Sequence, residues 1–213
     1  MSTHAIVLQG GGYQVRVEHE GEPIVAWLTS LGLSAAVLDY PLNARHPAPL
    51  DSVREAVRAA HAEGHAQVGL VGFSAGGHLA GHAALTQGVD LADRIAFAIL
   101  GYPIVSMEHN VYPSAGETLL GADPTPLLRA QTSLDRLVTA AAPPLFVWHT
   151  AEDANVTVAE TYRLATALGQ AGVPHTTHVF AHGPHSLGLA IGASEAEQWT
   201  ALAKTWLRRA GRL

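Results

Sequence analysis

Short apolar runs punctuate the chain at Ala5 to Leu8, Ser34 to Leu38, Val68 to Phe73, Ala96 to Leu100, Leu145 to Trp148 and Thr176 to Phe180. Each has strand length and is bounded by Gly, Pro or polar residues, so together they predict six strands. Between them, Glu22 to Leu31, Leu50 to Ala62, Ala75 to Leu85 and Val158 to Ala171 carry helix-like patterns, and Glu195 to Arg209 closes the chain with another. Strand and helix alternate, which predicts a mostly parallel central sheet of about six to seven strands with helices on both faces. Asp51 is expected at the start of the second helix, and Gly172 followed by Pro174 stops the fourth. Residues 103 to 143 break this rhythm. Pro103, Pro113, Pro124, Pro126 and the pair Pro143-Pro144 make them an expected excursion above the sheet, where a lid or substrate loop would sit.

The 213 residues contain no linker-like segment and no internal repeat, which fits one domain over residues 1 to 213 better than two. Hydrophobic residues are 48% and charged residues 14% of the chain, enough apolar material to cover both faces of a sheet. The net charge is −6, and the Lys and Arg residues are scattered apart from Arg208, Arg209 and Arg212, which argues against a nucleic-acid partner. Those three arginines are expected near the negative end of the last helix. The opening MSTHAIVLQGGG has too short an apolar run for a signal peptide and lacks a basic leader. Nowhere do the ~20 apolar residues of a membrane span occur, so a cytoplasmic protein without a membrane partner is the expectation. The lack of cysteine excludes a disulfide scaffold, a thiol nucleophile and thiolate metal sites. The chemistry must come from oxygen and nitrogen.

One strand runs directly into such chemistry. After Val68 to Phe73 comes Gly72-Phe73-Ser74-Ala75-Gly76, and Gly77 and His78 open an alanine-rich helix. This is Gly-x-Ser-x-Gly in a strand-turn-helix setting, where the tight turn demands small neighbours around the serine. Ser74 is therefore the candidate nucleophile; the bland alternative is a serine that caps a helix. A serine hydroxyl needs a base within hydrogen-bond reach and a carboxylate to orient that base. Asp153 follows the fifth apolar run in His149-Thr150-Ala151-Glu152-Asp153, and His185 follows the sixth in Ala181-His182-Gly183-Pro184-His185. Glu152 and His182 compete with them. Asp153 is favoured because Asn155-Val156-Thr157 can lead into a helix, and His185 because Gly183-Pro184 forms a turn that presents it. For the developing oxyanion, Gln9-Gly10-Gly11-Gly12-Tyr13 after the first strand offers main-chain donors, with Gly11 or Gly12 expected to act beside the amide of Ala75.

With these residues in place the sequence resembles the α/β-hydrolase superfamily. Within it, the chain is similar to the esterase/lipase-like branch of acetylxylan esterases and bifunctional deacetylase/feruloyl esterases. The resemblance is carried by Gly10-Gly-Gly-Tyr13, Leu38-Asp-Tyr-Pro-Leu42, Gly72-Phe-Ser-Ala-Gly-Gly-His-Leu-Ala80, Gly101-Tyr-Pro-Ile104, Leu119-Leu-Gly121 and Pro143-Pro-Leu-Phe-Val-Trp-His-Thr-Ala-Glu-Asp153. It continues from Ala171-Gly-Val-Pro-His175 through His185-Ser-Leu-Gly-Leu-Ala190 and so runs through most of the chain. It implies a serine esterase acting on carboxylic esters of small acyl groups such as acetyl, carbohydrate esters among them, with no cofactor. Two departures stand out. Gln9 replaces the His that often precedes the glycine run in relatives, and the first strand lies where relatives tend to have one or two more before it. The fold is thus expected to be minimal at its start, leaving a sheet edge exposed or covered by a homodimer contact.

Thirteen histidines raise the question of a metal. His61/His65 and His78/His82 have i, i+4 spacing, but neither pair carries His-Glu-x-x-His and no third ligand is evident, so no metal is expected. His78 is expected to pack behind the nucleophile and His61/His65 on a solvated helix end. Trp27, Trp148, Trp199 and Trp206 fall within apolar patterns and are expected in the core. Tyr13, Tyr102 and Tyr112 are candidates for the substrate rim. Two other functions stay open: a serine peptidase or amidase, against which stands the lack of a propeller or other large domain to select peptides, and a non-catalytic hydrolase-fold binding protein.

Overall fold

The computed structural model describes residues 2–109 and 112–213, so residues 110 and 111 of the expected excursion lie outside the described residues. Six strands form one sheet: β1 (Thr3–Leu8), β2 (Ser34–Val37), β3 (Gln67–Phe73), β4 (Phe97–Gly101), β5 (Leu145–Thr150) and β6 (His175–Phe180). Every pairing is parallel, in the order β2-β1-β3-β4-β5-β6. The period of two assigns the faces. Ile6 and Leu8 join the core on one side of the sheet, while Ala5 and Val7 join the other.

Five main helices cover the sheet. On the first side lie α2 (Ala48–Ala62), α3 (Ser74–Leu85) and α7 (Ala159–Gln170), through Leu50, Val53, Val57, Leu79, Ala83, Leu164 and Leu168. On the second lie α1 (Glu22–Ser30) and α8 (Trp199–Arg209), through Ile24, Leu28, Ala203 and Leu207. Two of the four tryptophans are core residues as their pattern predicts, Trp148 stacking on Trp199 at 5.0 Å, whereas Trp27 and Trp206 are only half-buried and pack against that core, Trp27 edge-on to Trp199 and Trp206 on Phe97 and Phe146. Helix α3 is buried at every residue, which explains its Gly/Ala composition and its lack of a polar stripe.

Three expectations change. Helix α2 starts at Ala48, so Asp51 stands in its first turn instead of at its cap, because Pro47 and Pro49 already set the backbone for helix entry. The closing helix is preceded by a 3-10 turn over Ser194–Gln198. Residues 103 to 143 hold three short helices, α4 (Pro113–Leu120), α5 (Pro126–Gln131) and α6 (Leu134–Leu137). They are not purely an excursion, since Ile104, Val105, Ala115, Leu119 and Leu134 belong to the core on the α3 side. A helix buried all round needs a second layer above it, and Leu134 supplies it by packing over Gly81. Gly172, at φ 67, ends α7 as its position predicts. No helix among the described residues is long and apolar enough to cross a membrane.

The strand order places the functional end of the sheet. The chain passes outward from β1 to β2 and then back across β1 to β3, so connections diverge between β1 and β3 and open a crevice at their carboxyl ends. Register pairs Leu8 with Gly72, so the loop after β1 and the turn after β3 leave the sheet side by side.

Candidate active site

Ser74 occupies the turn between β3 and α3 at φ 52, a left-handed conformation that costs a non-glycine residue about 1–3 kcal/mol. The two motif glycines make the turn possible through close approach. A Cβ at Gly72 would collide with the Gly76 carbonyl, and one at Gly76 with the carbonyls of Leu8 and Gln9. Nearly all of Ser74 is buried, and its own carbonyl accepts the Ile104 amide at 3.3 Å.

His185 and Asp153, from the loops after β6 and β5, meet Ser74 in one chain of hydrogen bonds. His185 Nε2 lies 2.8 Å from Ser74 Oγ, and His185 Nδ1 lies 2.6 Å from Asp153 Oδ2. The other carboxylate oxygen, Oδ1, accepts the amides of Asn155 and Val156, each at 2.9 Å. His149 Nε2 stands 2.8 Å from the Val156 carbonyl and 3.2 Å from Asp153 Oδ2. A carbonyl only accepts, so that nitrogen carries the hydrogen and both imidazoles donate to Asp153. Burial alone would raise the Asp153 carboxyl, but the hydrogen bonds from His149 and His185, the imidazole charge and the Val156 amide outweigh it. They hold the group well below the usual carboxylate range.

The competing residues lie elsewhere. Glu152 and His182 bond each other at 2.9 Å with side chains 57% and 66% exposed, too solvated to orient a buried hydroxyl. Their contact lowers the Glu152 carboxyl and raises the His182 imidazole.

The loop after β1 reaches Ser74 through Gly10, where a Cβ would lie 3.0 Å from Ser74 Cβ. The loop is firmly braced. Tyr40 Oη donates to the Gln9 carbonyl at 2.7 Å, the Gln9 amide donates to the Val17 carbonyl at 2.9 Å, and Gly10 N–H donates to Glu20 Oε2 at 2.7 Å. Gln9 thus braces the loop with its own side chain. Gly11 and Gly12 have φ of 115 and 63, and among the described residues no acceptor meets their N–H groups or that of Ala75. The Ala75 amide is one of the free donors in the first turn of α3.

The tyrosines divide. Tyr112 stays near the candidate rim, its ring 3.3 Å from where a Cβ of Gly12 would stand. Tyr13 and Tyr102 do not reach a rim. Both are fully buried, because each hydroxyl has an internal partner: Tyr13 bonds His78 Nδ1 at 2.6 Å and Tyr102 donates to Glu20 Oε1 at 2.7 Å. Burial pushes both phenols well above their ordinary value, so both remain protonated donors. His78, on α3, is fully buried, with its Nε2 on the Thr132 carbonyl at 2.7 Å. His61 bonds the Arg94 carbonyl, and His65 stacks on His4. Among the described residues no group of three or more His, Asp or Glu side chains is arranged to hold a metal ion. A groove of about 760 Å³ over the ends of β1 and β2 is lined by Gln9, Glu18, His19, Glu22, Val37 and Asp39. It adjoins the site through Gln9, which precedes Gly10, and through His19, whose Nε2 bonds the Ser186 carbonyl at 2.8 Å.

This geometry has relatives. A model of the prolyl oligopeptidase family matches residues 50–211, the stretch that carries Ser74, Asp153 and His185. The chain belongs to that family of α/β-hydrolases. Among solved structures, the acetyl ester-xyloside bifunctional hydrolase from Caldicellulosiruptor lactoaceticus superposes with a TM-score of 0.94 at 35% identity, covering 100% of this chain and 85% of that one. Endo-1,4-beta-xylanase B of Butyrivibrio fibrisolvens is 32% identical in an alignment of 206 positions, gaps counted, that covers 87% of this chain and 32% of that protein. Acetylxylan esterase of Xylanibacter ruminicola is 27% identical in an alignment of 221 positions, gaps counted, that covers 97% of this chain and 46% of that protein. The chain therefore spans about a third to a half of the length of these curated relatives.

Two residues of the site escape pattern reasoning. His149 is the penultimate residue of the apolar strand β5, four positions before Asp153, and only its polarity in that run could have marked it. Glu20 lies in the run Glu18-His-Glu20-Gly-Glu22, whose charge reads as solvated surface, yet it is fully buried.

Proposed function

We propose that this hydrolase-family chain is a serine esterase that cleaves short-acyl carboxylic esters, acetyl esters of carbohydrates in particular. The observation that carries the reading is the continuous hydrogen-bonded path from Ser74 Oγ through His185 to Asp153 Oδ2 at 2.8 and 2.6 Å. His185 Nε2 takes the Ser74 proton as Oγ attacks the ester carbonyl, and the same nitrogen then protonates the departing alcohol. Asp153 keeps the Nδ1–H tautomer in place and stabilises the imidazolium. The oxyanion rests on the Ala75 amide and on that of Gly11 or Gly12, donors free in the resting site. Water activated by His185 then releases the acid from Ser74. Every proton in this cycle moves between groups of the chain, substrate and water, so the chemistry requires no cofactor.

The acetyl and carbohydrate preference is supported by the two similar proteins whose names specify acetyl ester-xyloside and acetylxylan substrates. The groove beside the site offers the carboxylates of Glu18, Glu22 and Asp39 and the imidazole of His19 to sugar hydroxyls. Tyr112, whose ring lies beside Gly12 of the oxyanion loop, is placed to contact the bound ester. A series of aryl esters from acetyl to decanoyl, run beside acetylated xylo-oligosaccharides and feruloyl esters, tests the proposal. Rates should be highest with acetyl, and a preference for long chains would overturn that choice. Because the family takes its name from peptidases, matched ester and amide substrates belong in the same experiment; faster amide cleavage would favour the peptidase reading. Fluorophosphonate labelling that is lost in Ser74→Ala separates catalysis from ligand binding without turnover.

A further inference from the structure

Glu20 closes the 3-10 turn Glu18–Glu20 just before α1, and its carboxylate is buried away from solvent. Among the described residues no Lys, Arg or His lies within ion-pair distance of it. Instead it collects three donors from three different strand ends. Oε2 accepts Gly10 N–H from the loop after β1 at 2.7 Å. Oε1 accepts Tyr102 Oη–H from the end of β4 at 2.7 Å and Ser186 Oγ–H from the loop after β6 at 2.8 Å. Tyr102 extends the network, since its oxygen accepts Gly188 N–H at 2.9 Å, and its ring meets His185 edge-on at 5.0 Å.

These donors lie next to the reacting groups. Gly10 packs on Ser74 and begins the glycine run, while Ser186 is the immediate neighbour of His185. Both hydroxyl donors to Oε1 come from residues with left-handed backbones, Tyr102 at φ 37 and Ser186 at φ 65. Non-glycine residues hold such angles only where surrounding contacts over-determine them, and a shared carboxylate oxygen supplies one such contact to both. An ionised carboxylate is the side chain suited to this place, because it accepts from every direction and donates to none.

We propose that Glu20 is a positioning residue that holds the oxyanion loop and the histidine loop in register around Ser74. The proposal rests on the serine-esterase reading but concerns a group that never touches substrate. It sets the separation between the free N–H donors at Gly11 and Gly12, which must reach the oxyanion, and His185 Nε2, which must reach Ser74 Oγ and the leaving oxygen on the same tetrahedral carbon. A misplacement near 1 Å at such a site costs on the order of 100-fold in rate.

Glu20→Gln tests it. A glutamine of the same shape can keep the Gly10 amide on its oxygen, but it then turns an NH2 group toward Tyr102 and Ser186, where two hydroxyls had an acceptor. With aryl acetate, kcat is expected to fall about 10- to 100-fold while KM changes less than about threefold. The rate of Ser74 labelling by a fluorophosphonate should fall in parallel, with circular dichroism and the cooperative melt retained. Ser186→Ala should lower kcat by a smaller factor, and the double variant should lose little more than Glu20→Gln alone, because both changes break one bracket. A folded Glu20→Gln protein that labels and turns over at the wild-type rate overturns the positioning role and leaves the esterase reading intact. If Glu20→Gln does not fold, Ser186→Ala and Tyr102→Phe decide, and wild-type rates in both overturn the role. A wild-type protein that neither labels at Ser74 nor cleaves aryl esters overturns the esterase reading and the proposal with it.

Discussion

Replacing Asp153 by asparagine should remove the base without removing the fold, and the reason lies in how the carboxylate is wired. Oδ1 faces two main-chain N–H groups, those of Asn155 and Val156, which cannot become acceptors. The asparagine oxygen must therefore take that place. Its NH2 group then lands where Oδ2 faces His185 Nδ1 at 2.6 Å, and the imidazole answers by moving its proton to Nε2. Nε2 now donates toward Ser74 and can no longer accept its proton. Loss of the correct tautomer is worth about 10⁴ in kcat, or about 5.5 kcal/mol of barrier. The new NH2 group also opposes the His149 Nε2–H at 3.2 Å, and a charged acceptor is lost, which costs about 1.5–3 kcal/mol for each strong hydrogen bond weakened. Steady-state hydrolysis of p-nitrophenyl acetate, with thermal melts alongside, reads both effects. A drop near 10⁴ in kcat with a melting temperature lowered by several degrees is expected. Glu152→Gln, one residue away in an exposed pair with His182, should stay within about threefold of wild type. If Asp153→Asn kept its activity within about tenfold in a native fold, the tautomer argument would be refuted.

Other consequences follow from burial and from close packing. His78 is held down to about 4 by burial, against an ordinary value of 6.5. The unfolded chain binds that proton first, so the stabilisation is complete above about pH 6.5 and is lost as the pH falls toward 4, by about 3 kcal/mol in all. Urea midpoints across that range should fall more steeply for wild type than for His78→Asn, and parallel slopes would contradict the account. Asp153 lies below the usual carboxylate range, so its contribution is present above the unfolded carboxylate value and disappears only as the pH falls through its lower folded value. Gly76→Ala should destabilise by about 3 kcal/mol or more, because its methyl would collide with the carbonyls of Leu8 and Gln9. Gly169→Ala, on the exposed side of α7 with its nearest neighbour at 3.9 Å, should instead raise stability by about 0.5–1 kcal/mol. Equal urea midpoints for these two variants would show that close approach is not what fixes Gly76.

The alternation of apolar runs with helical patterns determined the parallel sheet by itself, because a period of two and a period of 3.6 are local properties that each segment carries alone. Ser74 was legible for a similar reason: its turn is built from neighbours within two residues on either side. The order of Ser74, Asp153 and His185 was legible through strand counting, since each follows the carboxyl end of a strand. What only the tertiary structure decided is which polar groups turn inward across long separations. Tyr13 and Tyr102 look like rim residues from their loop positions, yet both are drawn into the interior by partners 65 and 82 positions away, His78 and Glu20. Helix α2 began early because a proline pair set its entry, and the segment before β5 became partly core because α3 needed a second covering layer. Glu20 was hidden most completely. In sequence it is one acid among several, and its meaning arises only when three strand ends bring Gly10, Tyr102 and Ser186 to the same carboxylate.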